Sequence, residues 1–325
     1  MLRPIARSGI RHLTTRRSAV TCPGQGIIQA GFLGPYAQYR DNLLSPVLEE
    51  IDQALDMKFT ENLFNQDPGF ARDWLMHTAN AQPAIVSTTY IINYLYEQVA
   101  GQSLIDCSDA ILGHSLGEYS ALLLSGVTDL STAVRLVRRR GELMQSLLDP
   151  TSDYGMMALM IRPNQFDSLV SYFHEHRVLA NINSFQQLVI LGEKSQLQSV
   201  LSEVPGKKSI LKKISLPVQI PFHNELLSQI EPELTGLVDF SSIKQPRIPI
   251  ISNLSGEKVL DAKQAVSNTI AVNSKPVQWV KSLSLLQAEN YRVLNLGPGE
   301  VLHNLNSKFD LENVSLSSLA SFNDI

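Results

Sequence analysis

The stretch Ala110-Ile111-Leu112-Gly113-His114-Ser115-Leu116-Gly117-Glu118 decides the fold, because it predicts a buried strand that runs directly into a tight turn. The residues from Tyr119 to Leu124 can then form a helix. Glycine two residues before and two after Ser115 suits a turn that has no room for a Cβ atom at either position. The pattern is typical of a nucleophile elbow, which presents a serine hydroxyl at a helix N-terminus that favours an oxyanion. An incidental Gly-Ser turn is the alternative.

Strand and helix patterns alternate from Val20 onward, and they predict an α/β fold with a hydrolase-like core, in which a mainly parallel sheet carries helices on both faces. Between about 155 and 216 the order changes to β-α-β-β-α-β, which is that of a ferredoxin-like unit. We therefore expect a large subdomain, 19–154 and 217–325, interrupted by a small one, 155–216, with a site in the cleft between them. The core strands are predicted at 18–22, 110–113, 248–252 and 292–296.

Size and composition favour a globular protein with room for such a site and exclude several other classes of protein. The chain has 325 residues, of which 44% are hydrophobic, and a formal net charge of -4. No apolar run reaches the roughly 18 residues that span a bilayer, so no membrane partner is expected. The two cysteines, Cys22 and Cys107, imply no disulfide framework and give no metal-ligand spacing.

The first 18 residues differ in composition from the rest of the chain. They contain five arginines among leucine and isoleucine residues, many Ser and Thr residues, and no acid appears before Asp41. This composition is typical of a mitochondrial presequence, and a basic arm for nucleic acid or a membrane surface is the alternative. Without the five arginines, the body of the chain is more acidic still, which argues against a nucleic-acid partner.

A serine nucleophile needs a base, and His223 is the best placed of the seven histidines. It follows Ile220-Pro221-Phe222, where the chain returns from the inserted subdomain and a loop can hang over the cleft. The other six histidines have ordinary explanations in the leader, at helix ends, in polar stretches or inside the elbow. A purely structural histidine is the commoner alternative for any single residue of this type.

Arg140 lies on the apolar face of a helix predicted from about Ser131 to Leu148, in line with Leu136 and Leu143. A guanidinium on such a face must meet an anion, which is either a structural carboxylate or a bound ligand. Because this helix should pack near the elbow, a substrate carboxylate is a credible partner for a bidentate contact.

The glycine-rich run Pro23-Gly24-Gln25-Gly26 follows the first predicted strand. It matches neither the P-loop nor the dinucleotide-binding fingerprint, so a nucleotide site is not expected. A backbone N–H group of this loop can instead face the elbow. An oxyanion hole in such a sheet takes one donor from the residue after the nucleophile and another from a neighbouring strand end.

These motifs, in this order, resemble those of the malonyl-CoA:acyl-carrier-protein transacylases, in particular the stand-alone mitochondrial type, and of the related acyltransferase domains of fatty acid and polyketide synthases. The resemblance extends from about Val20 to Leu319. The motifs that carry it are Pro23-Gly24-Gln25-Gly26, Ala81-Gln82-Pro83-Ala84, Gly113-His114-Ser115-Leu116-Gly117-Glu118, Arg140-Gly141, Asn181-Ile182-Asn183-Ser184, Pro221-Phe222-His223, Pro276-Val277-Gln278-Trp279 and Gly297-Pro298-Gly299.

The resemblance implies transfer of the malonyl group from malonyl-CoA to the phosphopantetheine thiol of acyl carrier protein, in mitochondrial fatty acid synthesis. It makes Ser115 the nucleophile and His223 its base, whose second ring nitrogen is held by a backbone carbonyl. It also implies a mitochondrial matrix protein that acts as a monomer, without a cofactor. The other implied site residues are Gln25 and Leu116 for the oxyanion hole, Arg140 for the malonyl carboxylate, and Gln278, Asn183 and Phe222 for the pocket.

Two other functions stay open on the residues alone. In a serine hydrolase or thioesterase, water would accept the acyl group, and an acid between nucleophile and base, such as Asp129, Asp149 or Asp153, would orient the histidine. In a non-catalytic scaffold, the chain would bind a carrier protein without turnover.

Overall fold

The computed structural model describes residues 16–27, 29–148, 153–206, 208–217 and 220–324. Within these residues it contains a large six-stranded sheet in which neighbouring strands are parallel, except for one antiparallel pair at the β8 edge. This confirms the predicted α/β fold with a mainly parallel core sheet. The strands, in spatial order, are β10 (Asn313–Leu316), β9 (Arg292–Leu296), β1 (Ser18–Cys22), β2 (Ala110–Gly113), β7 (Ile250–Ile251) and β8 (Lys258–Val259).

Helices surround the large sheet, and no helix within the described residues is both long and apolar enough to cross a membrane. Short 3-10 turns lie at Gly34–Tyr39, Glu225–Ile230, Val272–Ser274 and Leu319–Asp324. The α-helices of this subdomain are α1 (Ser45–Leu55), α2 (Glu61–Phe64), α3 (Pro68–Met76), α4 (Thr78–Ala100), α5 (Gly117–Leu124), α6 (Leu130–Ser146), α9 (Glu231–Gly236), α10 (Ala262–Ala271), α11 (Trp279–Ala288) and α12 (Val301–Asn306).

The inserted segment forms a separate antiparallel sheet with the spatial order β4-β5-β3-β6. Its strands are β3 (Tyr154–Ile161), β4 (Leu179–Ser184), β5 (Gln187–Glu193) and β6 (Ile210–Leu216). Two helices, α7 (Phe166–Glu175) and α8 (Lys194–Ser202), follow β3 and β5, and a 3-10 turn at Pro163–Gln165 precedes α7. The chain order and the strand order are those of a ferredoxin-like unit, as the sequence predicts. The sheet begins at Tyr154, one residue before the expected boundary.

Main-chain hydrogen bonds join the small sheet to the large subdomain. The Ile182 N–H group of β4 donates to the Val277 carbonyl at 2.9 Å, and the Val277 N–H group donates to the Ala180 carbonyl at 3.0 Å. Next to this junction the fully buried Trp279 donates from its indole N–H group to Asn306 Oδ1 at 2.9 Å. The small sheet is therefore fixed along one side of the cleft.

The register of β1 and β2 brings two loops to the same edge of the sheet. Cys22, the last residue of β1, lies opposite Gly113, the last residue of β2, so the 23–26 loop and the predicted elbow leave the sheet side by side. A Cβ atom on Gly117 would lie 2.1 Å from the Cys22 carbonyl oxygen, and one on Gly113 would lie 1.8 Å from the Gly117 carbonyl carbon. No residue except glycine fits at either position.

The leader predicted at residues 1–18 overlaps β1 by one residue. Ser18 is the first residue of β1 and is only 4% exposed. Its N–H group donates to Asp109 Oδ2 at 2.8 Å, and its hydroxyl accepts from Arg292 Nε at 2.8 Å. A small polar residue fits the composition of a leader, but here both of its polar groups are satisfied inside the sheet. The leader residues 1–15 lie outside the described residues.

Candidate active site

The turn after β2 has the geometry of a nucleophile elbow. Ser115 has φ = 54°, a left-handed conformation that costs a non-glycine residue backbone strain. The side-chain amide of Asn253 spans the turn, because its Oδ1 accepts from the Ser115 N–H group at 2.7 Å and its Nδ2 donates to the Gly113 carbonyl at 2.6 Å. The strained turn is therefore held by one amide that contacts both of its sides.

The Ser115 hydroxyl contacts the imidazole of His223, 108 residues later in the chain. The distance from Oγ to Nε2 is 2.6 Å, and Nδ1 lies 2.8 Å from the Val272 carbonyl oxygen. Since a carbonyl only accepts, the proton of the neutral ring sits on Nδ1, and Nε2 accepts from the serine. Burial, together with the positive charge of Arg140, lowers the pKa of His223 to about 3. The ring is a neutral proton acceptor at pH 7.

Neither of the two candidate acids that the structure describes, Asp129 and Asp153, orients this base. Asp129 caps α6 by accepting from the Thr132 N–H group at 2.6 Å, and Asp153 pairs with Lys194 at 2.5 Å. Asp149 lies outside the described residues. The main-chain oxygen of Val272 takes the orienting position instead, which agrees with the backbone carbonyl that the family resemblance implies.

Arg140 is buried, at 1% exposure, and among the described residues no carboxylate lies within ion-pair distance of it. Its Nε donates to Asn273 Oδ1 and its Nη1 donates to Gln82 Oε1, both at 2.7 Å. Its guanidinium carbon lies 5.2 Å from the centre of the Tyr119 ring. Both hydrogen-bond partners are neutral amides, so the positive charge stays uncompensated.

The helices that carry Arg140 and Gln82 approach each other closely at a glycine. A Cβ atom on Gly141 of α6 would lie 2.5 Å from the Ala79 Cα atom of α4. This close approach brings the guanidinium on one helix within reach of the amide on the other. It also accounts for the Arg-Gly pair in the motif.

Gln25 and Leu116 lie on the two loops that leave the sheet side by side. Leu116 directly precedes α5, and Gln25 is anchored by its side chain, whose Oε1 accepts from Thr78 Oγ1 at 2.7 Å. Neither backbone N–H group donates to any of the described residues. Two free donors therefore flank the elbow, as an oxyanion hole requires.

A cavity of about 800 Å³ lies between the subdomains, and its walls include Met156, Ala158 and Met160 of β3. Phe222, beside the base, is 8% exposed and also lines it. Seven of the eight residues that the sequence singles out line this one cavity: Ser115, His223, Gln25, Leu116, Arg140, Asn183 and Phe222.

The eighth residue, Gln278, is expected to line the same cavity and does not. It lines a second cavity, of about 840 Å³, on another side of His223 and does not line the one that holds Ser115. Its N–H group donates to the Asn253 carbonyl at 2.8 Å at the start of α11. The presence of Gln278 in the family motif is therefore explained by its position at the start of α11, and not by a place in the cavity that holds Ser115.

Asn183 links the small subdomain to the elbow. Its Oδ1 lies 2.9 Å from His114 Nε2, and its Nδ2 donates to Gln187 Oε1 at 3.3 Å. Burial lowers the pKa of His114, whose ring meets the Trp279 ring edge-on at 5.2 Å. Asn183 lies in the cleft wall, as expected, and its amide also fixes the histidine that precedes the nucleophile.

No group of three or more His, Cys, Asp or Glu side chains that could hold a metal ion occurs in the part of the chain that the structure describes. The groups that can react or bind in the site are the Ser115 hydroxyl, the His223 imidazole and the Arg140 guanidinium, and neutral amides and one main-chain carbonyl hold them. Such a set can form an acyl-serine from an activated ester or thioester and can bind a carboxylate near it.

Comparison with known proteins agrees with this chemistry. Residues 43–295 match the acyl transferase domain family model. The chain belongs to this family. A malonyl CoA-acyl carrier protein transacylase of Bacillus subtilis is 30% identical over 293 residues, which cover 88% of each chain. The crystal structure of FabD from Acinetobacter baumannii superposes with a TM-score of 0.81 at 28% identity, covering 95% of this chain and 96% of that one.

A further solved relative is a malonyl-transacylase, PlMCAT, in complex with the type II PKS acyl-carrier protein AntF. It has a TM-score of 0.80 and 25% identity, and it covers 94% of this chain and 98% of that one. The protein is therefore an acyltransferase, and the cavity between its subdomains is its candidate active site.

Glu118 is a buried carboxyl group beneath the elbow of this acyltransferase. It is 1% exposed, its Oε1 accepts from the Asn253 N–H group at 3.0 Å, and its Oε2 has no hydrogen-bond partner among the described residues. Burial raises its pKa to about 8. The folded protein therefore holds this group neutral at pH 7, whereas the unfolded chain ionises it above its ordinary pKa of 4.5.

We predict that Glu118→Gln stabilises the fold in a pH-dependent way. Between pH 4.5 and 8 the folded state holds a proton that the unfolded state has lost. The free energy of unfolding of the wild-type protein therefore falls by roughly 1.4 kcal/mol for each unit that the pH rises in this range. The amide keeps the acceptor and cannot ionise. The gain in free energy of unfolding, measured by urea denaturation, should be larger at pH 8 than at pH 5. A gain that is equal at both values, or equal to that of the exposed control Glu61→Gln, would contradict this.

Proposed function

We propose that this acyltransferase transfers the malonyl group from malonyl-CoA to the phosphopantetheine thiol of an acyl carrier protein, through an acyl-serine on Ser115. The observation that carries the proposal is a Ser-His pair, 2.6 Å apart, in one cavity with the buried, uncompensated Arg140. The names of the relatives support the choice of donor and acceptor.

In the first step, Ser115 Oγ attacks the thioester carbonyl of malonyl-CoA while its proton moves to His223 Nε2. The carbonyl oxygen becomes an oxyanion, which the N–H groups of Leu116 and Gln25 stabilise. The C–S bond then breaks, His223 returns the proton to the sulfur, and CoA leaves as the thiol. The malonyl group remains as an ester on Ser115.

The second step reverses the roles. The thiol of the carrier protein's phosphopantetheine gives its proton to His223 Nε2 and attacks the ester carbonyl. The same two N–H groups stabilise the second oxyanion, and the C–O bond to Ser115 breaks as the serine regains its proton. Throughout, the Val272 carbonyl accepts from Nδ1–H and keeps the ring in one orientation. No step needs a metal or a cofactor, and we propose that none takes part.

Arg140 provides the selectivity for a carboxylate-bearing acyl group. Its charge has no counter-ion among the residues that the structure describes, so the free carboxylate of the malonyl group is the anion that completes the site. The same charge lowers the pKa of His223. A carboxylate bound on the guanidinium weakens this effect and makes the base stronger, so the correct substrate assists its own acylation.

Phe222 restricts the shape of the acyl group. Phe222 directly precedes His223 in the sequence, lines the cavity, and is 8% exposed. A bulky ring at this position leaves little space for a branch next to the thioester carbon. We therefore propose malonyl over methylmalonyl as the transferred group.

We also propose that the protein acts as a monomer in the mitochondrial matrix, in fatty acid synthesis. Support for the location comes from the arginine-rich, acid-free first residues. Processing must leave Ser18, which is buried in β1. The carrier protein as a partner is supported by the solved complex of the PlMCAT relative with its acyl-carrier protein.

Incubation with radiolabelled malonyl-CoA tests the proposed transfer. We expect stable label on the wild-type protein, none on Ser115→Ala, and removal of the label by a phosphopantetheinylated carrier protein. Release of the label as free malonate in water would assign a hydrolase instead. A wild-type protein that takes no label would assign a scaffold.

Arg140→Ala should reduce malonyl transfer by about 10- to 100-fold, because a charged bidentate contact worth about 1.5 to 3 kcal/mol disappears. Acetyl transfer should be retained or increased relative to malonyl transfer. Because the positive charge that lowers the His223 pKa is gone, the acid limb of the acetyl-transfer rate should move to higher pH. Equal losses with both acyl groups would show that the residue is structural.

Residues 1–17, fused to a fluorescent reporter, should direct it into isolated mitochondria, where it becomes resistant to added protease. The same segment with its five arginines replaced by glutamine should fail to do so. Import of both fusions, or of neither, would contradict the proposed location.

A further inference from the structure

We propose that Asn273 is the positioning residue that presents Arg140 to the substrate, and that it thereby sets the preference for acyl groups that end in a carboxylate. This inference rests on the proposed malonyl transfer and deepens it. Asn273 is fully buried in the 3-10 turn Val272–Ser274, which the sequence gives no reason to connect with Arg140, 133 residues earlier.

The orientation of the Asn273 amide is fixed by its other contacts. Its Nδ2 donates to the Ile270 carbonyl at 2.8 Å, and it also lies 3.3 Å from the Tyr119 hydroxyl. A carbonyl cannot donate, so the amide nitrogen must face Ile270. The amide oxygen then faces Arg140, where it accepts from Nε at 2.7 Å.

Two acceptors hold the guanidinium in one plane. Asn273 holds Nε, Gln82 holds Nη1, and Nη2 has no hydrogen-bond partner among the described residues. The Tyr119 ring lies against the group at 5.2 Å. The side of the guanidinium that carries Nη2 is thus left for a carboxylate, and its orientation is set before the substrate arrives.

The neutrality of Asn273 matters as much as its geometry. Aspartate has nearly the same shape, and it would accept from Nε in the same way. It would also neutralise Arg140 with a buried ion pair, against which the malonyl carboxylate would have to compete. An amide holds the guanidinium without cancelling its charge.

The same turn holds the base. Val272, the residue before Asn273, accepts from His223 Nδ1 through its carbonyl at 2.8 Å. Adjacent residues therefore place the imidazole and the guanidinium, and this fixes the distance between the group that takes the proton and the group that binds the carboxylate. Damage to the turn would impair both functions, whereas a change of the Asn273 side chain alone should impair only carboxylate binding.

Rapid-quench labelling of Ser115 in the full chain separates these effects. The acylation rate is measured against malonyl-CoA concentration for the wild-type protein, Asn273→Asp, Asn273→Leu and the control Ser274→Ala, which changes the same turn without a contact to Arg140. The inhibition constant of S-methyl-CoA, an unreactive thioether that lacks the carboxylate, is measured in parallel.

For Asn273→Asp we expect the half-saturating concentration of malonyl-CoA to rise at least fivefold, with the S-methyl-CoA inhibition constant changed less than twofold. Asn273→Leu should shift in the same direction, and Ser274→Ala should match the wild type. A smaller rise for Asn273→Asp, or a parallel rise of the inhibition constant, overturns the inference. If Asn273→Leu does not fold, the isosteric Asn273→Asp decides alone. A wild-type protein that takes no label overturns the proposed function instead.

Discussion

The lack of space where β1 and β2 end is the constraint on which the rest of the site depends. The parallel register sets Cys22 opposite Gly113, and the chain after β2 must turn so sharply that Gly117 touches the Cys22 carbonyl. Only a turn of this kind lifts the Ser115 hydroxyl out of the sheet and directs it to the cleft. The strain at Ser115 is offset by the Asn253 amide, which satisfies the main chain on both sides of the turn.

Neutral groups hold every reactive side chain of this site. Ser115 is held through an amide, His223 through a main-chain carbonyl, and Arg140 through two amides. A carboxylate in any of these places would change the charge that the site presents to its substrate. The buried Glu118 follows the same rule, because its raised pKa keeps it protonated beside the elbow. Among the described residues that line the cavity, Arg140 therefore carries the buried positive charge, whereas Lys308 is exposed, and a substrate anion can pair with this buried guanidinium.

The sequence predicts the parts of this structure that depend on local pattern. The elbow can be predicted because glycine spacing and an apolar strand are local features of the sequence. The small subdomain can be predicted because its strands and helices alternate at short range. Arg140 is identifiable because a charged residue interrupts an apolar helix face. The predicted strand 248–252 shrinks to Ile250–Ile251, and the polar edge strand Asn313–Leu316 goes unpredicted.

The acceptors that orient the site could not be predicted in the same way. Asn253 and Asn273 lie in loops and turns whose composition is ordinary, and the Val272 contact uses a carbonyl that every residue possesses. Their roles depend on contacts between residues that lie 49 to 138 positions apart in the sequence. Hydrophobic periodicity relates only residues that are close in the sequence, so it cannot predict these contacts. The misplacement of Gln278 has the same origin, since a polar residue close to the base in a motif can face another cavity.

The two subdomains contribute different parts of the site. The large subdomain supplies nucleophile, base and guanidinium, all fixed by contacts within it, while the small sheet contributes the apolar wall of β3 and the Asn183 contact to His114. The geometry of the reacting groups is therefore set by the large subdomain, because their hydrogen-bond partners lie within it. The small sheet, joined to the large subdomain through the Ile182 and Val277 main chains, shapes a wall of the cavity instead.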